Sequence, residues 1–287
     1  RPSEVGSVLK WFAYGQPIAG AFTGGYEHRH ELLTSRVVPA RSPKDADAWS
    51  RVTAHEGSSR VREFRSQPHM DYVDAEFTME KVARLRWEMP EDVPQWPAVE
   101  REGKLPITWR RQIMFVKGQK AADPTYLVLR DTVRGGQPTM WQFWTMSDGI
   151  VPTTQVSDPT APPRIKPGEP CLPARELEGD RFTAVGQLNV DVEYFVAAPR
   201  GTPRHTLRYG TTYSYPIQDF AEHHDLLQLR QPSDGSYYVV LFPRRRGEPV
   251  PTFRTHAQGA VIEVAGSWGT DYVLLADGPV DARVRSN

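Results

Sequence analysis

Hydrophobic positions along this chain occur in short runs that alternate with polar residues, and they rarely recur at helical spacing. Three runs rich in β-branched and aromatic residues follow one another at residues 107–116, 125–133 and 140–146. The first two runs end at glycine-containing turns, and none has a helical period. The pattern predicts three consecutive strands that form an antiparallel meander.

Two further patterns predict how the strands are covered. Residues 126–131 are apolar on both faces before the run turns polar, which indicates a central strand covered on both sides. In residues 189–196 the apolar side chains alternate, so that Val190, Val192, Tyr194 and Val196 share one face. The aromatic run at 140–146 would bury a large apolar area.

Similar runs predict strands throughout the chain, at residues 5–14, 32–39, 49–56, 59–66, 72–78, 181–185, 188–197, 206–213, 226–231, 237–243, 260–264 and 271–275. Only residues 217–229 have a modest helical character. The 26 prolines and 22 glycines are spread along the chain and favour short strands with many turns. We therefore predict an all-β fold, a large antiparallel β-sandwich of several stacked sheets.

A proline-dense stretch at residues 156–173 predicts a linker or long loop, because prolines this frequent suit neither a helix nor a central strand. It divides the chain into a first part of the sandwich, residues 1–155, and a second part, residues 174–287. The 287 residues are enough for a sizeable core.

Charge and composition exclude several classes of partner. The 35 basic and 35 acidic residues balance, so no overall field attracts nucleic acid or an anionic membrane, and no apolar run reaches membrane-spanning length. The single cysteine, Cys171, excludes an intrachain disulfide and is expected to be a buried thiol. The chain begins at Arg1 without a leader, which predicts a processed product or a piece of a longer polypeptide.

Several segments together resemble the β-sandwich half of the heparinase II/III-type polysaccharide lyases. The similarity lies in WRRQIMFVK followed by TYLVLRDTV and QPTMWQFWTM, in the preceding SQPHMDYV, in EVGSVL with YGQPI near the start, and in SYYVVLFPRR with GTDY near the end. The resemblance implies a supersandwich that normally follows an α/α toroid of helices. Nothing in this sequence resembles the toroid, so either a separate helical portion supplies it or this piece lacks most of a catalytic site.

The resemblance implies β-elimination at a uronic acid in an anionic polysaccharide, such as a glycosaminoglycan or alginate, and a secreted or periplasmic location. This reaction needs an acid and a base with tuned pKa values and donors for the developing enolate. In the family, much of this set comes from the toroid. The alternative is a non-catalytic module that binds carbohydrate or has a structural role.

The segment after the turn at residues 23–25 holds the best local candidates for catalysis: Tyr26, His28 and His30. On an extended chain His28 and His30 share a face about 6 to 7 Å apart, so they could flank one sugar or bind one metal such as zinc. By resemblance, His30-Glu31 falls in the place of a His-Asn pair of the family, with Glu for Asn. A family aspartate that helps hold zinc would fall near Ala21 and is missing. Two solvated loop histidines are the alternative.

Candidates for substrate binding are Arg29, Trp96 and Arg110. Trp96 lies in a loop where it could stack on a sugar, whereas most other tryptophans are expected in the core. Arg110 and Arg111 should point to opposite faces of a strand, so that one could line a cleft while the other reaches solvent.

Two polar clusters are weaker candidates. The sequence His223-His224-Asp225 has the composition of a ligand cluster, but adjacent strand residues point to opposite faces, and surface histidines are expected instead. The run Arg244-Arg245-Arg246 could bind an anionic glycan, although a solvated turn is the default expectation there. No nucleophile elbow or phosphate-binding glycine pattern occurs.

Overall fold

A computed structural model describes residues 7–8, 10–20, 34–39, 54–83, 103–120, 123–155, 172–210 and 223–277. These residues form strands, turns and two single 3-10 turns, with no α-helix among them. The all-β prediction is therefore confirmed. The strands are β1 Lys10–Ala13, β2 Gln16–Gly20, β3 Val37–Pro39, β4 Ala54–Gln67, β5 Met70–Ala83, β6 Gly103–Val116, β7 Tyr126–Arg134, β8 Thr139–Pro152, β9 Leu172–Leu177, β10 Arg181–Gly186, β11 Val190–Ala198, β12 Arg204–Gly210, β13 His223–Gln231, β14 Gly235–Arg245, β15 Thr252–His256, β16 Val261–Gly266 and β17 Gly269–Leu274.

The strands form three stacked layers, and every pairing is antiparallel. The main sheet has the order β4-β5-β6-β7-β14-β11-β10, and the last residues of β8 complete it. The second sheet consists of β3, the first residues of β8, β13, β12 and β9. A three-stranded outer sheet, β15-β16-β17, and the hairpin β1-β2 are separate.

The largest core lies between the main sheet and the second sheet. Leu127 and Leu129 enter it from the main sheet, and Trp141 and Phe143 enter it from the second. The rings of Trp141 and Phe143 stack with 5.9 Å between centroids. Burying each such side chain contributes about 1.5 to 3 kcal/mol, so this aromatic run anchors the sandwich as its composition predicted.

The outer sheet packs against the opposite face of the main sheet. Tyr126 and Val128 point towards it, and the ring of Phe195 stacks on that of Phe253 with 5.2 Å between centroids. Both faces of β7 are therefore covered, which confirms the prediction for residues 126–131. The four alternating residues of β11 likewise face the large core.

The predicted three-stranded meander is wrong in its third strand. β6 and β7 pair, but β8 does not lie beside β7. The other edge of β7 pairs with β14, where Tyr237 is opposite Asp131. The aromatic side chains of β8 instead face β7 from across the core, so the chain after β7 crosses from one layer to the other.

The modest helical character assigned to residues 217–229 is also wrong where the structure describes it. Residues 223–229 belong to strand β13, and the preceding residues 217–222 lie outside the described ranges. Leu227 and Leu229 face the large core, whereas Leu226 is fully buried on the opposite face. Every residue of β13 is buried, but Leu226 shares its face with the polar residues His224, Gln228 and Arg230, so the apolar residues do not alternate cleanly along the strand. Without that two-residue alternation the sequence does not distinguish a strand from a helix.

Strands from before and after the proline-dense stretch lie in the same sheets, as the neighbours β7 and β14 show. Residues 156–171 of that stretch lie outside the described ranges. The division into a first part, residues 1–155, and a second part, residues 174–287, remains a prediction about sequence organisation.

Candidate functional site

Most of the predicted site residues lie outside the described ranges: Tyr26, His28, Arg29, His30 and Trp96. Their predicted roles therefore stay predictions. Arg110 is described, and it lies on β6 with its side chain on the same face of the main sheet as the outer sheet. The groove around Arg110 is the part of the predicted site that the structure defines.

Arg110 and Arg111 point to opposite faces, as predicted, but Arg111 does not reach solvent. Its guanidinium is buried in the large core, where Nε donates to Asp131 Oδ1 at 2.7 Å and Nη2 donates to Oδ2 at 2.9 Å. The indole of Trp109 donates to the same carboxylate at 2.7 Å. A carboxylate inside the core therefore replaces the solvent expected for this arginine.

The groove lies where the main sheet extends beyond the edge of the outer sheet. We call it the arginine groove, and it has a volume of about 260 Å³. Its lining includes Arg62, Glu76, Thr108, Arg110, Thr132 and Arg134. These side chains lie on the face of β6 and β7 that also packs against the outer sheet. Along the two strands, this face is apolar where the outer sheet covers it and polar in the groove.

The strand register places the lining residues in rows across the sheet. Glu76, Arg110, Thr132 and Ser236 are consecutive cross-strand partners on β5, β6, β7 and β14. Neighbouring strands are about 4.8 Å apart, so this row extends about 14 Å. An open polar row of this length could contact several groups of an extended ligand at once.

Arg110 is held at the base of the groove by two acidic side chains. Its Nε and Nη2 atoms each donate to the carboxylate of Asp74 at 2.9 Å, and its Nη1 donates to Asp277 at 3.2 Å. The hydrogen bonds that Arg110 donates to Asp74 raise the pKa of Arg110. Of the five guanidinium N–H groups, two remain for a ligand, so this arginine is largely committed to the protein.

Arg62 and Arg134 are more available at the rim. Arg134 is exposed and makes no ion pair with any residue in the described part of the chain. The side chain of Arg62 is 39% exposed and is 3.6 Å from Glu76 and 3.8 Å from Asp74. Pairs this long and this exposed contribute little. Both guanidinium groups could therefore exchange these contacts for an incoming anion.

A second cavity adjoins the arginine groove between the main and outer sheets. It has a volume of about 610 Å³, and its lining includes Arg130, Arg200, Ser236 and His256. The hydroxyl oxygens of Ser236 and Thr132 are 3.3 Å apart, so the two depressions meet at β7 and β14. Basic side chains therefore continue from one depression into the next.

The cluster at residues 223–225 differs from its predicted place at the surface. His223 and His224 are buried, with 4% and 7% of their surface exposed. Asp225 faces the core, where it pairs with Arg208 at 2.9 Å and accepts a hydrogen bond from Ser147. Among the described residues, no group of three or more His, Cys, Asp or Glu side chains is arranged to hold a metal.

The arginine run at residues 244–246 leads into a turn where Arg245 and Arg246 are exposed, as predicted, but Arg244 is buried and all three make contacts within the fold. Arg244 is buried and donates to Glu193 at 2.7 Å. Arg246 pairs with Asp191 at 2.9 Å, and the guanidinium of Arg245 lies 4.9 Å from the ring of Tyr14. Arg244 therefore neutralises acidic side chains on the neighbouring strand β11.

The sequence did not single out Arg62 or Arg134. Alternation along β7 places residues 130, 132 and 134 on one face, so part of the signal was present. The position of these β7 residues beside Arg110 depends on the register between β6 and β7, and the loop between the two strands sets that register. Arg62 lies at a bulge in β4 that sequence patterning does not reveal.

No described segment forms the long apolar helix that a membrane crossing requires. No protein family matches the sequence, and no curated protein matches it either.

Solved structures do resemble the fold. The heparan sulfate lyase HepC from Pedobacter heparinus matches 93% of this chain with a TM-score of 0.52 at 10% identity. A heparinase III matches 92% of it with a TM-score of 0.51 at 12% identity. This chain spans about a third of those proteins, 36% and 34% of their lengths. The three-layer sandwich described above is therefore a heparinase-like β-sandwich.

Proposed function

We propose that this chain is the β-sandwich portion of a polysaccharide lyase that cleaves uronic acid-containing glycans by β-elimination. The observation that carries this proposal is the similarity of nearly the whole chain to the heparan sulfate lyase HepC. Because the chain corresponds to about a third of that enzyme, a helical toroid portion is needed to complete the catalytic site. An extracellular glycan substrate implies a secreted or periplasmic protein.

In this proposal Tyr26, His28 and His30 contribute to the chemistry, and His30 lies nearest the reacting ring. Proton abstraction next to the carboxylate needs a base, and departure of the leaving oxygen needs an acid. A neutral histidine can accept a proton near neutral pH, and a tyrosine hydroxyl can donate one. Arg29 and Trp96 would bind the substrate, by pairing with its carboxylate and by stacking on its ring.

A zinc ion remains a proposal for His28 and His30 alone. Zinc sites in enzymes use three protein ligands or more, and the position of the family aspartate is occupied by Ala21. The donor set in this chain is therefore incomplete, and no catalytic step is assigned to the metal. Measuring the zinc content of the purified chain before and after dialysis against a chelator tests this point.

The proposed reaction is tested by mixing the full chain with a helical toroid portion and with uronate glycans, including heparan sulfate and alginate. Elimination creates an unsaturated uronate, and its ultraviolet absorbance is the readout. We expect His30→Ala to lower the rate at least a hundredfold, as for loss of a general base. The exposed turn residue His69 provides the control, because His69→Ala removes a histidine that is not assigned to the proposed chemistry. Absence of product from every glycan would refute lyase activity.

A non-catalytic carbohydrate-binding module is the second candidate. The arginine groove favours it, because the groove presents cations and hydroxyl groups without needing residues 26–30. The two candidates differ in a simple outcome: glycan binding without product under all conditions supports the module, whereas product formation supports the lyase.

A further inference from the structure

We propose that the arginine groove is a binding subsite for the sulfate or carboxylate groups of an acidic polysaccharide, with Arg62 and Arg134 as the contacting residues. Its described lining comes from β4, β5, β6 and β7 together with Asp277. The inference concerns binding alone, so it does not depend on the proposed lyase activity.

The first argument is the distribution of charge within the groove. The acidic side chains are engaged at its base, where Asp74 and Asp277 hold Arg110. The cations at the rim have only long contacts or none with the described residues. The remaining carboxylate of the described lining, Glu76, pairs with Arg60 at 2.8 Å and lies 3.6 Å from Arg62. An anion can therefore pair with Arg134 without displacing a carboxylate of the described residues, and with Arg62 by displacing only long contacts.

The second argument is the matching chemistry of the groups. A guanidinium presents two parallel N–H donors that fit the two oxygens of a carboxylate or sulfate. Thr108 lies beside Arg134 as its cross-strand partner, and Thr132 lies beside Arg110. Their hydroxyl groups can donate to and accept from sugar hydroxyls. The groove therefore offers partners for both the charged and the neutral groups of an acidic glycan.

The shape of the site favours a glycan over a nucleic acid. Proteins that bind single-stranded nucleic acid combine basic grooves with aromatic rings on which the bases stack. The described residues that line the arginine groove include no aromatic residue. Tyr238, in the adjoining cavity, has its ring beneath Arg130 and is 1% exposed. Among the described residues of the groove a nucleobase finds no ring to stack on, whereas sulfates and carboxylates need only the arginines.

Arg110 is a positioning residue in this arrangement. It joins Asp74 of β5 to Asp277, which follows the last strand of the outer sheet. Asp277 also accepts a hydrogen bond from Thr132 at 2.7 Å. Arg110 thereby links the end of the outer sheet to the main sheet beside the groove. It also holds the carboxylates of Asp74 and Asp277 away from the rim.

The experiment measures binding of the full chain to a heparin oligosaccharide and to a polygalacturonate oligosaccharide of similar length by titration calorimetry at several salt concentrations. The double variant Arg62→Gln/Arg134→Gln is expected to weaken binding at least tenfold, because it removes the charge-assisted hydrogen bonds of two guanidinium groups to the anion. The salt dependence should fall by about one ion per arginine removed. Stronger binding of heparin would identify sulfate as the preferred group, and equal binding would identify carboxylate as sufficient.

Arg245→Gln is the matched control. It removes one exposed arginine at the far end of β14, nine residues or about 30 Å from Ser236. This control should bind both oligosaccharides like the unaltered chain. An undiminished affinity in the double variant, or an equal loss in the control, would overturn the assignment. Equally tight binding of single-stranded DNA would overturn it as well, since the site would then recognise any polyanion.

Discussion

Replacing Asp131 by asparagine should be among the most damaging single changes in the sandwich. Its carboxylate is fully buried and accepts three hydrogen bonds, one from the indole of Trp109 and two from the guanidinium of Arg111. The asparagine side chain would keep the volume but lose the charge, and one of the two oxygen acceptors would become an amide donor facing Arg111. The guanidinium would then be buried without a compensating anion.

Removing one partner from a buried ion pair costs about 3 to 5 kcal/mol. Domains have total stabilities of about 5 to 15 kcal/mol, so Asp131→Asn should remove about a fifth or more of the folding free energy. For a chain of this size the corresponding fall in melting temperature is on the order of 10 °C. Replacing both partners, as in Arg111→Met with Asp131→Leu, should cost less than the sum of the two single changes, since no isolated charge remains.

The assay is urea unfolding followed by tryptophan fluorescence, for which the chain has eight tryptophans. The exposed pair Glu63 and Arg65 supplies the control: Glu63→Gln should change stability by less than about 1 kcal/mol. An Asp131→Asn variant that loses less than this amount, with an unchanged denaturant slope, would refute the idea that this buried pair is essential to the core.

Three further changes test other layers of the fold. Phe253→Ala should cost about 3 to 5 kcal/mol and increase binding of a hydrophobic dye, because its ring stacks between the outer and main sheets. Tyr126→Phe should cost about 1 kcal/mol in the same unfolding assay, because its hydroxyl donates to Asp271 of the outer sheet at 2.9 Å. The hydrogen bond from Lys117 lowers the pKa of Asp71 below its ordinary value of 3.8. This pair therefore stabilises the folded state at neutral pH, and its contribution is lost as the pH falls through the lowered pKa. Carbon NMR titration should show that Lys117→Gln raises the pKa of Asp71.

The fold class could be predicted from the sequence because its signals are local. Runs of β-branched and aromatic residues define strands one at a time, and the coverage of β7 on both faces follows from its apolar pattern. The partner of β8 could not be predicted in the same way. Pairing with β13 and β10 is set by chain segments far away in sequence, and the turn after β7 has the composition of a hairpin without forming one.

The candidate site shows the same limit. Alternation correctly separated Arg110 from Arg111, but it could not distinguish solvent from the core as the destination of Arg111. That distinction requires Asp131 on the neighbouring strand. Similarly, the composition of Arg244 and its neighbours suggested a solvated turn, whereas Glu193 on β11 provides a buried partner. Solvent exposure was therefore predicted wrongly for charged residues whose ion-pair partner lies on another strand.

Strand β8 belongs to two sheets, since residues 139–146 pair with β13 and residues 147–152 pair with β10. Both partners are synthesised after it, and β14, which completes the edge of β7, is later still. During translation, the first half of the chain therefore emerges with exposed strand edges and unmatched aromatic side chains. Such surfaces promote aggregation. The main sheet remains incomplete until the ribosome has released β14, so protection by a chaperone over that interval would raise the yield of folded protein.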